Sequence, residues 1–224
     1  MTVVPIALGL LLAGASPAEP KVFDRVVATI DGDVITLSEL EFETRVEIVS
    51  RGGSNAALNE ISHSELSTFL AVAIQQRLAA KEAQRLGIYE ITSDQLAKAE
   101  KVFKDYLPIG LDQFLAVNEV SRVEFDRLIR RDLQVASYLK SRTELHSPVT
   151  DAEVDRAIAQ QTADPAAKSS KLLRDKVRED LTAVRDQQLV LTELRRLYAR
   201  AKVRIVDPSF SGADAQLQPG QTGG

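Results

Sequence analysis

Residues 27–40 read VATIDGDVITLSEL, and their period changes halfway through. Val26, Val27, Thr29 and Ile30 form one β-branched run, and Val34, Ile35 and Thr36 form another, with Asp31-Gly32 between them. An Asp-Gly pair in that place suits a two-residue primed turn, whose central residues both need positive φ. The pattern then becomes helical. Thr36 is followed three residues later by Glu39, and Ser38 by Glu41; either pair can build a capping box, in which the hydroxyl accepts a free N–H and the carboxylate reaches back. Phe42, Val46 and Val49 continue at helical spacing until Arg51-Gly52-Gly53 stops them. A small hairpin therefore feeds a helix.

The same start signal recurs as Ser62 with Glu65, Thr92 with Gln95, Ser121 with Glu124, and Thr150 with Glu153. Each precedes apolar residues at threes and fours, so the chain reads as mainly α. Leu66, Phe69, Leu70, Ala73, Ile74 and Leu78 mark a helix closed by Gly87 in the C′ role. A shorter helix covers 94–106, the chain breaks at Pro108 and Gly110, and a short helix follows. Phe125, Leu128, Ile129, Leu133, Ala136 and Leu139 mark a longer one, ending before Ser147-Pro148. Val154, Ala157 and Ile158 form the face of another short helix. The longest spans 170–201, and its near-heptad stripe suits internal packing and could also serve a homodimer seam. Alternation returns in 202–207. A lone two-stranded hairpin is marginal in water, so this late strand is expected to pair with the N-terminal hairpin, with Val203 and Ile205 on one face and Arg204 and Val206 on the other. From Pro208 the Gly, Pro, Gln and Ser content predicts a disordered tail over 208–224.

The first 18 residues carry no charged side chain, and their apolar run is short for a bilayer span. Small residues offer cleavage after Ala15 or after Ala18, a secretory pattern without the usual basic leader. About 200 residues would remain, enough for one sizeable core or two lobes. No later run is long and apolar enough to span a membrane, so a soluble mature product is expected. Net charge is −4, with Lys and Arg interspersed among Asp and Glu, which gives no reason to expect nucleic-acid binding. With no cysteine in the chain, disulfides and thiolate metal sites are excluded.

Chemical motifs are missing. His63 and His146 sit beside serines at predicted helix ends, where they read as exposed end residues, and neither lies in a nucleophile-elbow or zinc-helix context. Asp31-Gly32-Asp33 lacks the later ligands of an EF-hand. Glu39, Glu41, Glu43 and Glu47 have the spacing of a solvated helix face. Gly52-Gly53 is followed by no Lys-Ser or Lys-Thr. No metal, nucleotide or other cofactor is implied.

The stretch 30–40, IDGDVITLSEL, resembles the "V-N-G-x-x-I-T-x-x-E-L" opening of the SurA-like periplasmic chaperones, a family that includes the helical parts of parvulin-type foldases. Asp31 stands where that family usually has Asn, with the same turn chemistry. The helix containing IRRDLQVASYLKSR, the proline-led SPVTDAEVDRAIAQ and the closing LVLTELRRLYARAKVRIV are similar to later parts of the pattern, so the resemblance runs over 22–207. It implies a helical SurA N-terminal-like module with a small sheet made by the N-terminal hairpin and the C-terminal strand. The organisation expected is a signal peptide at 1–18, a helical lobe with its hairpin at 19–160, a linker at 161–171, and a closing helix and strand at 172–207. In many relatives a parvulin prolyl-isomerase domain stands where 161–171 bridges the gap here, so no enzymatic activity is expected.

The resemblance also implies an ATP-independent periplasmic chaperone for unfolded or extended segments of exported proteins, including outer-membrane strands in transit. A holdase needs accessible apolar area diluted by polar groups. The residues around the Pro108–Gly110 break, Phe103, Tyr106, Leu107, Ile109, Leu111 and Phe114, with Phe42 and Val46, are the candidate client surface. Two alternatives remain: a prolyl isomerase whose catalytic domain is degenerate or lost, and a dedicated structural partner of one envelope assembly.

Overall fold

The computed structural model describes residues 24–87, 90–146, 148–161 and 170–217. Strands β1 (Val26–Ile30) and β2 (Asp33–Thr36) form the hairpin, and β3 (Val203–Ile205) joins the other side of β1, giving a sheet of order β2-β1-β3, antiparallel throughout. At the turn Asp31 has φ 53° and Gly32 φ 99°, the positive values that Asp-Gly tolerates. Asp31 also ties the chain's two ends together. Its Oδ1 accepts the Lys202 N–H at 2.8 Å, and its own N–H donates to the Lys202 carbonyl at 3.0 Å. The side-chain alternation expected in 202–207 holds, with Val203 and Ile205 half-buried and Arg204 exposed.

Helices α1 (Leu37–Ser50), α2 (His63–Leu86), α3 (Ser93–Tyr106), α4 (Leu111–Val117), α5 (Arg122–Glu144), α6 (Asp151–Gln161), α7 (Lys171–Arg200) and α8 (Gly212–Leu217) complete the described residues. The five start signals all form. Thr36, Ser62, Thr92 and Ser121 are N-caps in complete capping boxes, and Thr150 makes the same reciprocal bonds with Glu153. At the first of these the structure chooses Thr36–Glu39, because Ser38 is engaged by the Asp24 carboxylate. Gly87 closes α2 at φ 65°, in the left-handed conformation read for it.

Three apolar clusters result. The main core packs Val27, Ile30 and Ile35 of the hairpin and Leu40 against the small-residue face of α2, with Val135 and Tyr138 of α5 and Leu197 of α7. The second gathers α1, α3, α4 and the first half of α5 around four phenylalanines. Phe114 lies 5.9 Å from Phe42 and 5.6 Å from Phe103, and Phe103 lies 5.3 Å from Phe125; such tilted ring pairs add about 0.5–1.5 kcal/mol each beyond burial. A third, smaller cluster joins Val149 and α6 to Val177 of α7. Helix α1 contributes to more than one side of its surroundings (Leu40, Phe42, Thr44, Val46 and Val49 are all buried) and so lacks a clean amphipathic stripe. The far end of α7 is tied in by charge. Arg196 bridges Glu193 and Glu82, Tyr138 donates to Glu193, and the Arg85 and Arg196 guanidiniums hold the Glu82 carboxyl down to about 2.

The disordered tail expected from Pro208 does not hold for 208–217. A 3-10 turn at Pro208–Phe210, capped by Asp207, leads into α8, and Phe210, Ala213 and Leu217 are buried in the main core against α2. Composition misleads here because three apolar anchors at near-helical spacing suffice to dock a polar segment. His63 takes part: its ring meets Phe210 edge-on at 4.6 Å, and its Nε2 lies 2.9 Å from the Ser209 carbonyl oxygen. His63 keeps the exposed helix-end place read for it, at the start of α2, and adds a docking contact there. The expected signal peptide at 1–18, most of the 161–171 linker and residues 218–224 lie outside the described residues.

Candidate functional site: a charged cleft between the hairpin, α2 and α5

Five of the eight residues expected to form an open client surface are core. Phe42, Val46, Phe103, Leu111 and Phe114 are each at most 9% exposed, and Leu107 and Ile109 are half-buried against the same cluster. Tyr106 alone of the eight is exposed. The Pro108–Gly110 break turns the chain so that α4 folds its phenylalanine back onto Phe103, and the apolar stripes of α1, α3, α4 and α5 close on one another. Asp31 and Gly32 hold the turn role read for them.

The concave surface lies elsewhere, and helical spacing builds it. On α2, Arg77 and Lys81 are four residues apart; on α5, Arg127, Arg130, Arg131 and Gln134 recur at threes and fours; on α1, Glu39 and Glu43 do the same. Residues at these spacings share one helix face. The faces converge on two adjoining hollows of about 410 and 500 Å³ that share Arg77, Arg127 and Arg131 as a common wall. The first is floored by Phe42, Val120 and Leu128 and rimmed by Glu39, Glu119 and Glu124. The second lies against the hairpin, with Ile30, Val34, Ile35 and Ala80 for apolar wall and Lys81, Arg127 and Arg130 at its edge. Each falls within the usual 300–1,000 Å³ range of ligand pockets.

Glu43 is the hub. Its Oε1 lies 2.7 Å from both Arg77 and Arg131, with Glu39 a further 3.5 Å partner of Arg77. The side chains of Glu43, Arg77 and Arg131 keep 13%, 18% and 17% of their surface, so this is a nearly buried triad. It corrects the reading of the α1 glutamates as one solvated face, because Glu43 points between helices. Arg77 also donates to the Val34 carbonyl at 3.3 Å and Lys81 to that of Ile30 at 3.2 Å, so both sew the hairpin to α2. Burial opposes the charge on Arg131, but Glu43 beside it raises its pKa further. Asp132 responds in the opposite sense. Burial, reinforced by the charges of Glu43 and Glu47 and opposed by Arg131, pushes its carboxyl up to about 7. Glu43 Oε2 and Arg131 Nη2 are buried with no hydrogen-bond partner among the described residues.

No side chain in the cleft combines a nucleophile with a base, and no group of three or more His, Asp or Glu among the described residues is placed to hold a metal ion. Apolar walls, forked cations and a strand edge can grip a polypeptide. Sequence reading missed the cleft because its residues are ordinary surface cations until three helices are packed; the run RLIRR at 127–131 with Arg77 and Lys81 was the available signal.

Fold and cleft together define a mainly α module, clasped end to end by a three-stranded antiparallel sheet, with an arginine-walled groove beside the hairpin. That module is distantly similar to two curated proteins named Chaperone SurA. The chain is 27% identical over 155 residues to the protein of Pseudomonas putida, covering 66% of this chain and 35% of that one. It is 28% identical over 159 residues to the protein of Alkalilimnicola ehrlichii, covering 68% and 36%. The chain thus spans about a third of the length of the curated relatives it matches. No family model matches it. No helix among the described residues is long and apolar enough to cross a membrane.

Proposed function

We propose that the protein is an ATP-independent chaperone that holds extended, apolar-rich segments of unfolded proteins in the cleft beside its hairpin. The observation that carries this reading is the similarity, over about two thirds of the chain, to proteins named for chaperone activity. The geometry agrees with it. An extended strand advances about 3.3 Å per residue with side chains alternating to either face, and two adjoining hollows with apolar floors and charged rims suit such a chain better than a compact metabolite. The clients are exported proteins, outer-membrane strands among them, and the place is the periplasm. The uncharged, small-residue-rich first 18 residues support that address.

The test is aggregation of a chemically unfolded client followed by light scattering. Suppression at several-fold molar excess of the purified chain, without nucleotide, is the expected result. Unchanged scattering at that excess refutes the reading.

A further inference from the structure

We propose that the hairpin-side half of the cleft selects acidic segments: an extended stretch lies beside β2, met there by the Val34 N–H, and seats an Asp or Glu side chain on Arg127 and Arg130. This deepens the chaperone reading and rests on it, since it names the segments the cleft prefers.

The charge balance of the hollow carries the argument. Three of its cations already face carboxylates: Lys81 meets Asp33 at 2.6 Å, while Arg77 and Arg131 share Glu43, with Glu39 a further partner of Arg77 and Asp132 of Arg131. Arg127 and Arg130 are exposed, one turn apart on α5, and among the described residues neither has a carboxylate within ion-pair distance. Arg130 donates one nitrogen to the Ile91 carbonyl at 3.1 Å, which fixes its direction without cancelling its charge. The acids beside them in sequence are engaged elsewhere: Asp126 pairs with Arg122 at 2.8 Å, Asp132 lies 3.6 Å from Arg131, and Glu124, which feels Arg127, gives its Oε2 to the Ser121 cap. Two guanidinium forks without an anion, on the wall of an apolar hollow, match a carboxylate in shape and charge.

The strand edge supplies the rest. Ile30 pairs with Asp33 across the turn, and Val34 faces Thr29. By the alternation of an antiparallel ladder, the Val34 N–H and C=O therefore point away from β1, toward the cleft; with the carbonyl already accepting from Arg77 at 3.3 Å, it is the N–H that Val34 offers an added chain. Its side chain is 47% exposed there. An added strand places residues i and i+2 on one face, about 7 Å apart. One apolar side chain can then cover Val34 while the acid two positions on meets the arginines. Because the hollow opens into its neighbour, the chain can run through, which favours an internal side chain over a chain terminus.

Short, labelled, C-terminally amidated peptides of one unstructured apolar sequence, with Glu, Gln or Lys at the centre, test this by fluorescence anisotropy. The full chain should bind the Glu peptide about tenfold more tightly than the Gln peptide and the Lys peptide most weakly. The double variant R127Q/R130Q, its fold checked by circular dichroism, should lose that preference. A Gln peptide with a free terminal carboxylate should bind no better than its amide. Equal affinities, a preference surviving in the double variant, or a preference that follows the terminal carboxylate would each overturn the inference. The aggregation assay separates the two readings: suppression without peptide preference sinks only this one, whereas no suppression and no peptide binding sinks both.

Discussion

Replacing Glu43 by alanine removes the anion that two nearly buried guanidiniums share, and it is the perturbation whose size the structure bounds best. Arg77 and Arg131 keep under a fifth of their side-chain surface and would remain charged. Breaking a buried pair by deleting one partner costs about 3–5 kcal/mol, mostly because the other charge stays desolvated and alone. Glu39, half-exposed and 3.5 Å from Arg77, recovers part of that, so the lower end, about 3 kcal/mol, is expected. For a chain of this size about 1 kcal/mol corresponds to roughly 2–4 °C, which places the fall in Tm at about 6–12 °C. Urea unfolding followed by circular dichroism measures the free energy directly. Glu43→Gln keeps an acceptor oxygen and should fall between the wild type and Glu43→Ala. The triple change Glu43→Leu, Arg77→Met and Arg131→Met should recover most of the loss, since a buried ion network replaced whole by apolar side chains is often neutral. If Glu43→Ala stays within about 0.5 kcal/mol of wild type, the ordinary range of surface substitutions, the buried triad is not the joint described here.

Other consequences are open to similar measurement. Phe210→Ala should destabilise the protein by about 3–5 kcal/mol in urea, as for a fully buried ring, whereas a disordered tail would leave the midpoint unmoved. Asp132 has a folded pKa raised to about 7, so the folded state holds its proton more firmly than the unfolded chain; its contribution is complete below about pH 4 and is lost as pH rises through 7. Asp132→Asn should therefore flatten the stability profile between those limits and stabilise the protein at pH 8, by an amount on the order of 1 kcal/mol, read from urea midpoints across pH. Gly32→Ala forces a side chain into φ 99° and should cost about 1–2 kcal/mol although it meets no atom there, again by urea unfolding.

Local chemistry made much of this architecture readable. Thr36, Ser62, Thr92, Ser121 and Thr150 each announce a helix because a hydroxyl and a carboxylate (at Thr92 the carboxamide of Gln95) three residues apart satisfy free backbone groups wherever the chain lies. Asp31-Gly32 and the alternation at 203–206 likewise state their conformations locally, and the need of a short strand for a partner predicts the sheet. The cleft was not readable in this way. Whether Arg127 faces water or a groove depends on how α5 crosses α1 and α2, which no single helix records. For the same reason the sequence leaves Phe103 and Phe114 open to both readings, client contact or core, and the closing of their stripes on each other decides for core. Phe210 was hidden by its company, since Gly, Ser and Gln around an aromatic look like a tail until α2 offers it a seat.

The cleft's role is tested most directly by placing a photo-crosslinking side chain at Val34 and, as a control on the outer face of α7, at Val184, both about half exposed. With an unfolded exported protein in excess, the chaperone reading predicts strong crosslinks from position 34 and few from position 184. Equal yields from the two positions, or client adducts confined to position 184, would contradict it.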